Sequence, residues 1–268
     1  DASARAVSLI RGPAGSVVRL TLRRPAEDRV FTVAITRAAI PLITVNSTML
    51  PNGIAYIQIT EFKATTTELL DAAIAELRPQ QPRAIVLDLR NNSGGFLTTA
   101  QEVLGRFYDG IALYEEERSG VKKELRTITA VPDRRLYDIP MVVLVNGGSA
   151  SAAEVVAGAL RDQRPNTVLL GERTFGKGSV QNIYTLRDGS SVRITIARWL
   201  TPAGEAINGV GITPQHVVPA SNEATYPVPC VPDRPADTSC ADAQLYWALQ
   251  LLENGTAPPP PAETETAP

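Results

Sequence analysis

MVVLVNGGSASAAEVVAGALRD (residues 141–162) and QRPNTVLLGERTFGKGSVQ (residues 163–181) form the stretch of sequence that decides the fold. The apolar run Met141–Val145 is typical of a strand buried on both faces, and a Gly-containing turn joins it to a helix that opens with serines. A second apolar run, Thr167–Leu170, leads to Lys177, which stands between two glycines. Strands that alternate with helices in this way predict an α/β fold.

Ser151 and Lys177 have the residue types and the setting of a Ser–Lys dyad. A serine hydroxyl is a weak nucleophile that needs an adjacent base, and a lysine amine serves as that base only when it is neutral. The strand-to-helix turn presents Ser151 at the end of a strand, beside the unpaired N–H groups of a helix N-terminus. The chain has one histidine, His216, so a Ser-His-Asp triad would have to be built around that residue.

The same residues also have a purely structural interpretation. Ser151 and Glu154 have the spacing of a capping box, in which a serine caps the helix and a glutamate three residues later returns the hydrogen bond. Ser149 would cap the helix equally well, and Lys177 taken alone is typical of a solvated surface lysine. These segments alone leave both interpretations open.

A second motif, AIVLDLRNNSGGF at Ala84–Phe96, predicts the site where an oxyanion would bind. Its first five residues suit a strand buried on both faces, and Gly94 and Gly95 follow in a turn. Two adjacent glycines can hold a backbone N–H so that it points into a cleft, and the N–H of Ala152 would be the second donor. The alternative is an ordinary Gly-Gly turn that leads into a helix.

Taken together, these motifs resemble the C-terminal processing, or tail-specific, serine proteases, which carry a PDZ domain and a Ser–Lys dyad. The resemblance covers nearly the whole chain and rests on long strings in the family's order. They are LIRGPAGSVVRLTLRR (9–24), GIAYIQITEF (53–62), DLRNNSGG (88–95), VNGGSASAAE (145–154), GERTFGKGSVQ (171–181) and DGSSVRITIARWLTPAGEAINGVGITP (188–214). Ser93 stands where the family often has proline or glycine.

The resemblance assigns a role to each position that matches the family's motifs. It places the nucleophile on Ser151 rather than on Ser149, the general base on Lys177, and a lysine-orienting role on Gln181. It implies an oxyanion hole formed by the backbone of Ala152 and of the Gly94-Gly95 turn, and a surface or packing role for His216.

The resemblance also suggests how the lysine is kept neutral. Phe175, with apolar neighbours from Val168–Leu170 and Val180, would shield the Lys177 amine from water, and this desolvation would lower its pKa.

The function implied is that of a serine endopeptidase that cleaves proteins near their C-terminal tails through an acyl-enzyme. Its partners would be polypeptides with unstructured C-termini, and no metal or organic cofactor is implied. Rival readings are a catalytically silent module that binds peptides or hydrophobic ligands on the same fold, and an inactive protease that acts as a scaffold. A different acyl hydrolase such as an esterase has less support, because the Gly-x-Ser-x-Gly elbow is missing.

The predicted architecture is an α/β, mixed-sheet protease core of the ClpP/crotonase-like type. Helices are expected at Thr67–Leu77, Leu97–Tyr108, Ala152–Asp162 and Asp242–Leu252, and strands at Val17–Arg24, Arg29–Ile35, Gly53–Thr60, Ala84–Asp88, Met141–Val145, Thr167–Gly171 and Ser191–Arg198. The predicted parts are the C-terminal portion of a PDZ domain (1–37), the core (38–218), a linker with a C-terminal helix (219–256) and a Pro-rich disordered tail (257–268).

Composition limits the classes of function. The chain has 268 residues, 44% of them hydrophobic and 20% charged, and a net charge of −2, so binding of nucleic acid has no electrostatic support. No apolar stretch approaches the roughly 18 residues of a membrane span, and the start does not read as a signal peptide. Because the chain begins inside a predicted element, we expect that further residues precede it.

Cys230 and Cys240 enclose the Pro-rich segment CVPDRPADTSC. Two cysteines that close a short loop favour a disulfide and therefore a periplasmic, cell-envelope or extracellular location, although two free thiols are the alternative. A metal site is not expected, since no second Cys/His pair lies nearby in the sequence.

Overall fold

A computed structural model describes residues 2–39, 42–129, 136, 138–232 and 240–260. The chain divides into two units, Asp1–Leu42 and Ile43–Pro268, and each is described by itself.

The first unit consists of a helix and a hairpin. Its elements are α1 (Ala2–Ile10), β1 (Val17–Arg24) and β2 (Arg29–Thr36). β1 and β2 pair antiparallel along their whole length, from Val17 opposite Thr36 to Arg24 opposite Arg29. Both predicted strands are therefore confirmed, the second to within one residue.

The second unit contains two sheets and four further helices among the described residues. Its strands are β3 (Val45–Leu50), β4 (Ile54–Ile59), β5 (Ala84–Asp88), β6 (Ile111–Glu117), β7 (Lys122–Arg126), β8 (Met141–Val145), β9 (Thr167–Gly171), β10 (Ser179–Thr185), β11 (Ser191–Leu200) and β12 (His216–Val217). Its helices are α2 (Thr66–Leu77), α3 (Leu97–Leu104), α4 (Ala152–Gln163) and α5 (Ala243–Asn254).

The larger sheet has the order β12-β9-β8-β5-β4-β3 and is mixed, as predicted. β3 runs antiparallel to β4, and the other neighbouring strands are parallel. The smaller sheet, β10-β11-β6-β7, is antiparallel throughout.

Strand periodicity divides the core into two layers. Ile85 and Leu87 of β5 face the cluster that contains the buried residues of α2, α3 and α4. Ala84 and Val86, whose side chains alternate with them, face a second cluster that contains the apolar residues of α5. Both faces of the sheet are thus covered, which explains why its parallel strands are continuous apolar runs.

This topology brings three loops to one edge of the sheet. β5, β8 and β9 are adjacent and parallel, so their carboxyl ends lie at the same edge. The Gly94-Gly95 turn follows β5, Ser151 follows β8 and Lys177 follows β9. In open α/β sheets, ligands bind at this kind of edge.

The structure corrects two features of the sequence-based prediction. α3 ends at Leu104 rather than Tyr108, because the N–H groups of Arg106 and Phe107 donate three residues back, to Val103 and Leu104, and the chain leaves the α-helical pattern. Strands β3, β6, β7, β10 and β12 had not been predicted. β6 and β7 carry charged runs (EEE and KKE), and charge runs are depleted in strands.

The C-terminal region of the described chain packs on the sheet through α5. This helix begins at Ala243 because the Asp242 side chain is its N-cap and accepts the N–H groups of Gln244 and Leu245. A disulfide joins Cys230 to Cys240, with their Cα atoms 5.2 Å apart. The predicted disordered tail lies outside the described residues from residue 261 onwards. In the described part of the chain, no helix is long and apolar enough to cross a membrane.

The central strand gives a first test of the fold. Leu87→Ala removes a fully buried side chain from β5, and we expect the free energy of unfolding to fall by about 2–5 kcal/mol. Leu186→Ala, at a residue that is 47% exposed, should change it by less than about 0.5 kcal/mol. Urea denaturation measures both, and equal losses would contradict the placement of β5 in the core.

Candidate active site

Ser151 occupies the strained backbone position that the turn after β8 requires. Its φ is 58° and its ψ is −119°, a combination that only glycine adopts freely. It is half-buried and immediately precedes α4, whose first residue is Ala152. A non-glycine residue held in such a conformation is typical of an active-site turn.

Ser149, the other serine of the motif, is a structural residue. It is fully buried, and its hydroxyl donates to the carbonyl of Leu89 (2.8 Å) while accepting the N–H of Asn146 (3.0 Å). These bonds connect the turn after β8 to the turn after β5. With its donor and acceptor both engaged, Ser149 is poorly suited to attack a substrate, whereas Ser151 lies beside the helix N-terminus.

Glu154 connects the loops of both predicted dyad residues. Its fully buried carboxylate accepts four hydrogen bonds. One oxygen accepts the Ser151 N–H (2.8 Å) and the Lys177 N–H (2.7 Å), and the other accepts the Thr174 hydroxyl and the Gly176 N–H (both 2.6 Å). In the described part of the chain Glu154 forms no ion pair, so these donors alone compensate its burial.

The glycine turn lies directly against Ser151. A Cβ on Gly94 would come within 2.7 Å of the Ser151 Cβ and 3.0 Å of the Ala152 nitrogen. The Gly94 N–H is engaged, because it donates to Asn92 Oδ1 (2.8 Å). No hydrogen bond from the Gly95 N–H is seen among the described residues. Ala152 is the first residue of α4, so its N–H has no partner within the helix.

Asparagine side chains fix the two turns against each other. Asn146 Nδ2 donates to Asn91 Oδ1 (3.0 Å), and Asn146 Oδ1 accepts the N–H groups of Asn91 and Gly148. Fully buried Asn92 donates to the carbonyl of Ile59, and its own carbonyl accepts the Ala150 N–H (2.9 Å). The turn after β5 and the turn after β8 are therefore held as one unit.

The side chain of Lys177 is exposed, so the prediction that Phe175 shields its amine from water is wrong. Phe175 is 67% exposed, and exposed and buried residues alternate along Thr174–Gly178. The reason is that Glu154 holds this loop by its backbone N–H groups, which leaves the side chains at 175 and 177 on the outer side. No hydrogen bond between Lys177 Nζ and Ser151 Oγ is seen among the described residues.

Among the described residues, no hydrogen bond joins Gln181 or His216 to Ser151 or Lys177. Gln181 lies on β10 after a β-bulge, is exposed, and donates to the Thr195 hydroxyl at 3.4 Å. His216 lies on the outer strand β12, opposite Leu170. Among the described residues no group of three His, Cys, Asp or Glu side chains is placed to hold a metal ion.

The sequence analysis missed the positioning role of Glu154 and of the asparagines. Glu154 was interpreted only as half of a capping box, although a glutamate within the apolar run SAAEVVAGA was itself a signal of a buried, hydrogen-bonded carboxylate. For Asn92 and Asn146 the sequence offered only their position after a buried strand.

The close approach at Gly94 can be tested with a matched pair of glycines. Gly94→Ala and Gly189→Ala both place a side chain at positive φ (103° and 81°), but only at Gly94 would the new Cβ meet other atoms. We expect Gly189→Ala to cost about 1 kcal/mol of unfolding free energy and Gly94→Ala a further 1–3 kcal/mol, roughly, from the steric clash. Denaturation curves measure the difference, and equal losses would contradict the contact.

Comparison with known proteins finds similarity to carboxy-terminal processing proteases. The chain is 43% identical over 211 residues to the carboxy-terminal processing protease CtpA of Bacillus subtilis, an alignment that covers 78% of this chain and 44% of CtpA. It is 38% identical over 218 residues to a carboxyl-terminal-processing protease of Picosynechococcus, covering 80% of this chain and 51% of that protein. The chain thus spans about half the length of the curated relatives it matches.

A solved structure and a family model extend this similarity to the fold. The photosystem II D1 C-terminal processing protease is 34% identical with a TM-score of 0.59, over 78% of this chain and 57% of that one. The model of peptidase family S41 matches residues 53–218. That range includes β4 through β12 and all three loops that follow the carboxyl ends of β5, β8 and β9. The chain therefore belongs to peptidase family S41.

Proposed function

We propose that this protein is a serine endopeptidase that cleaves polypeptides near their C-terminal tails, with Ser151 as nucleophile and Lys177 as general base. The observation that carries the proposal is the Glu154 carboxylate, one oxygen of which accepts the backbone N–H groups of both residues. The loops of nucleophile and base are thereby fixed side by side at the N-terminus of α4. Membership of a peptidase family supports the same reaction class.

The chemistry follows from the groups at this edge. Ser151 Oγ attacks the scissile carbonyl carbon while the neutral Lys177 amine takes the hydroxyl proton. The resulting oxyanion accepts the N–H groups of Ala152 and Gly95. We assign Gly95 rather than Gly94 because the Gly94 N–H already donates to Asn92. When the C–N bond breaks, the Lys177 ammonium returns the proton to the leaving amine, and a water molecule then releases the acyl group from Ser151.

Substrate binding would supply the desolvation that the exposed Lys177 lacks. Three apolar side chains flank the catalytic loops and are largely exposed: Phe96 (57%), Phe175 (67%) and Val210 (52%). Val210 belongs to a loop held against the lysine loop, where the Gly209 N–H donates to the carbonyl of Gly176 (2.8 Å). A polypeptide segment seated on these side chains would exclude water from the amine, and Gln181 would then orient it.

Two further parts of the proposal concern the protein as a whole. The helix and hairpin of the first unit support its assignment as the C-terminal portion of a PDZ domain (residues 1–37), which would take part in capturing the tail. The Cys230–Cys240 disulfide supports a periplasmic, cell-envelope or extracellular location.

The dyad is tested by cleavage of an unstructured polypeptide with an apolar C-terminus. Ser151→Ala and Lys177→Ala should each lower kcat by roughly 10³-fold or more, because each removes a group that acts in the transition state. Lys123→Ala, at an exposed lysine of β7, is the control and should retain wild-type kcat. Product masses show whether the cuts lie near the C-terminus.

Wild-type cleavage that is indifferent to both alanine variants would refute the dyad. Absence of cleavage by the wild type, together with retained binding of the polypeptide, would instead point to a peptide-binding module on this fold.

Glu154→Gln tests the carboxylate that joins the two loops. A glutamine presents an NH₂ group to two of the four N–H and O–H donors that now face the carboxylate, so at least one loop must move. We expect kcat to fall about 100-fold with little change in KM, since misplacement by roughly 1 Å has effects of that size. Glu68→Gln, at an exposed glutamate of α2, should leave kcat unchanged. A Glu154→Gln enzyme with wild-type kcat would remove Glu154 from this role.

A further inference from the structure

Arg90 forms an ion-pair network at the carboxyl end of β5. Its Nε and Nη2 donate to the Asp88 carboxylate at 2.6–3.0 Å, and its backbone N–H donates to Asp88 Oδ1 (3.0 Å). The Tyr56 hydroxyl donates to the other Asp88 oxygen (2.8 Å). Burial and the Asp88 charge raise the pKa of Tyr56, which therefore remains a donor.

The same guanidinium reaches the C-terminal helix. Arg90 Nη1 donates to both oxygens of Asp242 (3.0 and 2.8 Å) and to Gln244 Oε1 (3.1 Å). Asp242 is the N-cap of α5 and is 152 residues away in sequence. Burial disfavours the charged guanidinium, but the two carboxylates outweigh this effect and raise the pKa of Arg90, so the cation persists at every relevant pH.

Arg90 also begins the turn that carries the oxyanion donors. The next two residues are Asn91, which pairs with Asn146 of the nucleophile turn, and Asn92, which binds the Gly94 N–H. On the side of Arg90 and Asn91, the turn borders a cavity of about 240 Å³ that Asn146 and Asp242 also line. Apolar packing therefore does not fix this side of the turn, and its position depends on polar contacts.

Asp242 is itself held in place from its N-terminal side. Its N–H donates to the carbonyl of Tyr226 (3.0 Å), and the carbonyl of Cys240 accepts the Val228 N–H (2.8 Å). Cys240 is joined to Cys230 by the disulfide. Asp242 is thus a fixed counterion for Arg90 as well as a helix cap.

We propose that Arg90 and Asp242 are positioning residues for the peptidase reaction. Asp242, at the start of α5, holds the Arg90 guanidinium, and Arg90 fixes the turn that aims the Gly95 N–H at the oxyanion. The C-terminal helix thereby belongs to the catalytic apparatus. This inference rests on the proposed peptidase function.

Asp242→Asn tests the ion pair while retaining the cap, because asparagine is as good an N-cap as aspartate. Asp71→Asn is the matched control, since Asp71 pairs with Arg106 in the same unit, and none of the hydrogen bonds described for that pair involves residues 89–96 or 146–151. Two measurements are made on the whole chain: kcat and KM on the unstructured polypeptide, and amide hydrogen exchange of peptides covering residues 89–96.

For Asp242→Asn we expect kcat to fall about 10- to 100-fold, KM to stay within about twofold, and exchange in residues 89–96 to accelerate. Arg90→Lys keeps the charge but loses the bidentate geometry, so its kcat should fall by a similar factor. In the double variant, kcat should fall by less than the product of the two single-variant factors, because both changes remove the same ion pair. Arg90→Lys also replaces Asp242→Asn as the test if the latter does not fold.

Equal kcat values for Asp242→Asn and Asp71→Asn, or unchanged exchange in residues 89–96, would overturn the inference. Absence of cleavage by the wild type would instead overturn the proposed function. The exchange rates would then still decide whether Asp242 holds the turn.

Discussion

The buried carboxylate of Glu154 is the interaction on which the geometry of the site depends. A charge removed from water is tolerated only when it is surrounded by donors, and hydrogen bonds to a charged group contribute about 1.5–3 kcal/mol each. Glu154 obtains four donors, three of them backbone N–H groups from the loops after β8 and β9. The requirement to satisfy this charge therefore fixes Ser151 and Lys177 relative to each other through their main chains.

The topology of the larger sheet allows the single carboxylate of Glu154 to bind two loops. Parallel neighbours β5, β8 and β9 end at the same edge, so three loops that are distant in sequence begin on adjacent strands, each about 5 Å from the next. Asn91 and Asn146 then join the first two loops, and Glu154 joins the second to the third. Main-chain groups make most of these contacts, which leaves the Phe175 and Lys177 side chains free to face a substrate.

Because Lys177 is exposed, the free protein provides only part of the environment that the proposed reaction needs. The fold provides a prearranged turn at Ser151 and two N–H donors, of Gly95 and Ala152, that are not engaged within the described chain. The environment that a neutral lysine needs is not built into the free site. In the proposed reaction, a polypeptide that covers Phe96, Phe175 and Val210 would complete this environment, and Lys177 would act as a base only while a substrate is bound. This dependence on substrate binding would limit unwanted cleavage of other proteins.

Local sequence determined the elements whose residues have one dominant environment. The strands Ala84–Asp88, Met141–Val145 and Thr167–Gly171 were predicted to the residue, because uninterrupted apolar runs bounded by glycine or polar residues have few alternatives. The family, and with it the candidate roles of Ser151 and Lys177, also followed from motifs alone. Strands β6 and β7 did not, since their charged residues lie at the surface of a second sheet whose existence depends on distant partners.

Tertiary structure decided what no local pattern specifies. From its local sequence, the carboxylate of Glu154 could have capped its own helix and formed no other contact. Only the fold brings the loop after β9, with the N–H groups of Gly176 and Lys177, to this carboxylate. The bond from the Gly94 N–H to Asn92, the exposure of Lys177 and the contact between Arg90 and Asp242 likewise depend on where hydrogen-bond partners lie in space. Sequence fixes which groups need a partner, and the packing of strands and helices fixes which partner each group finds.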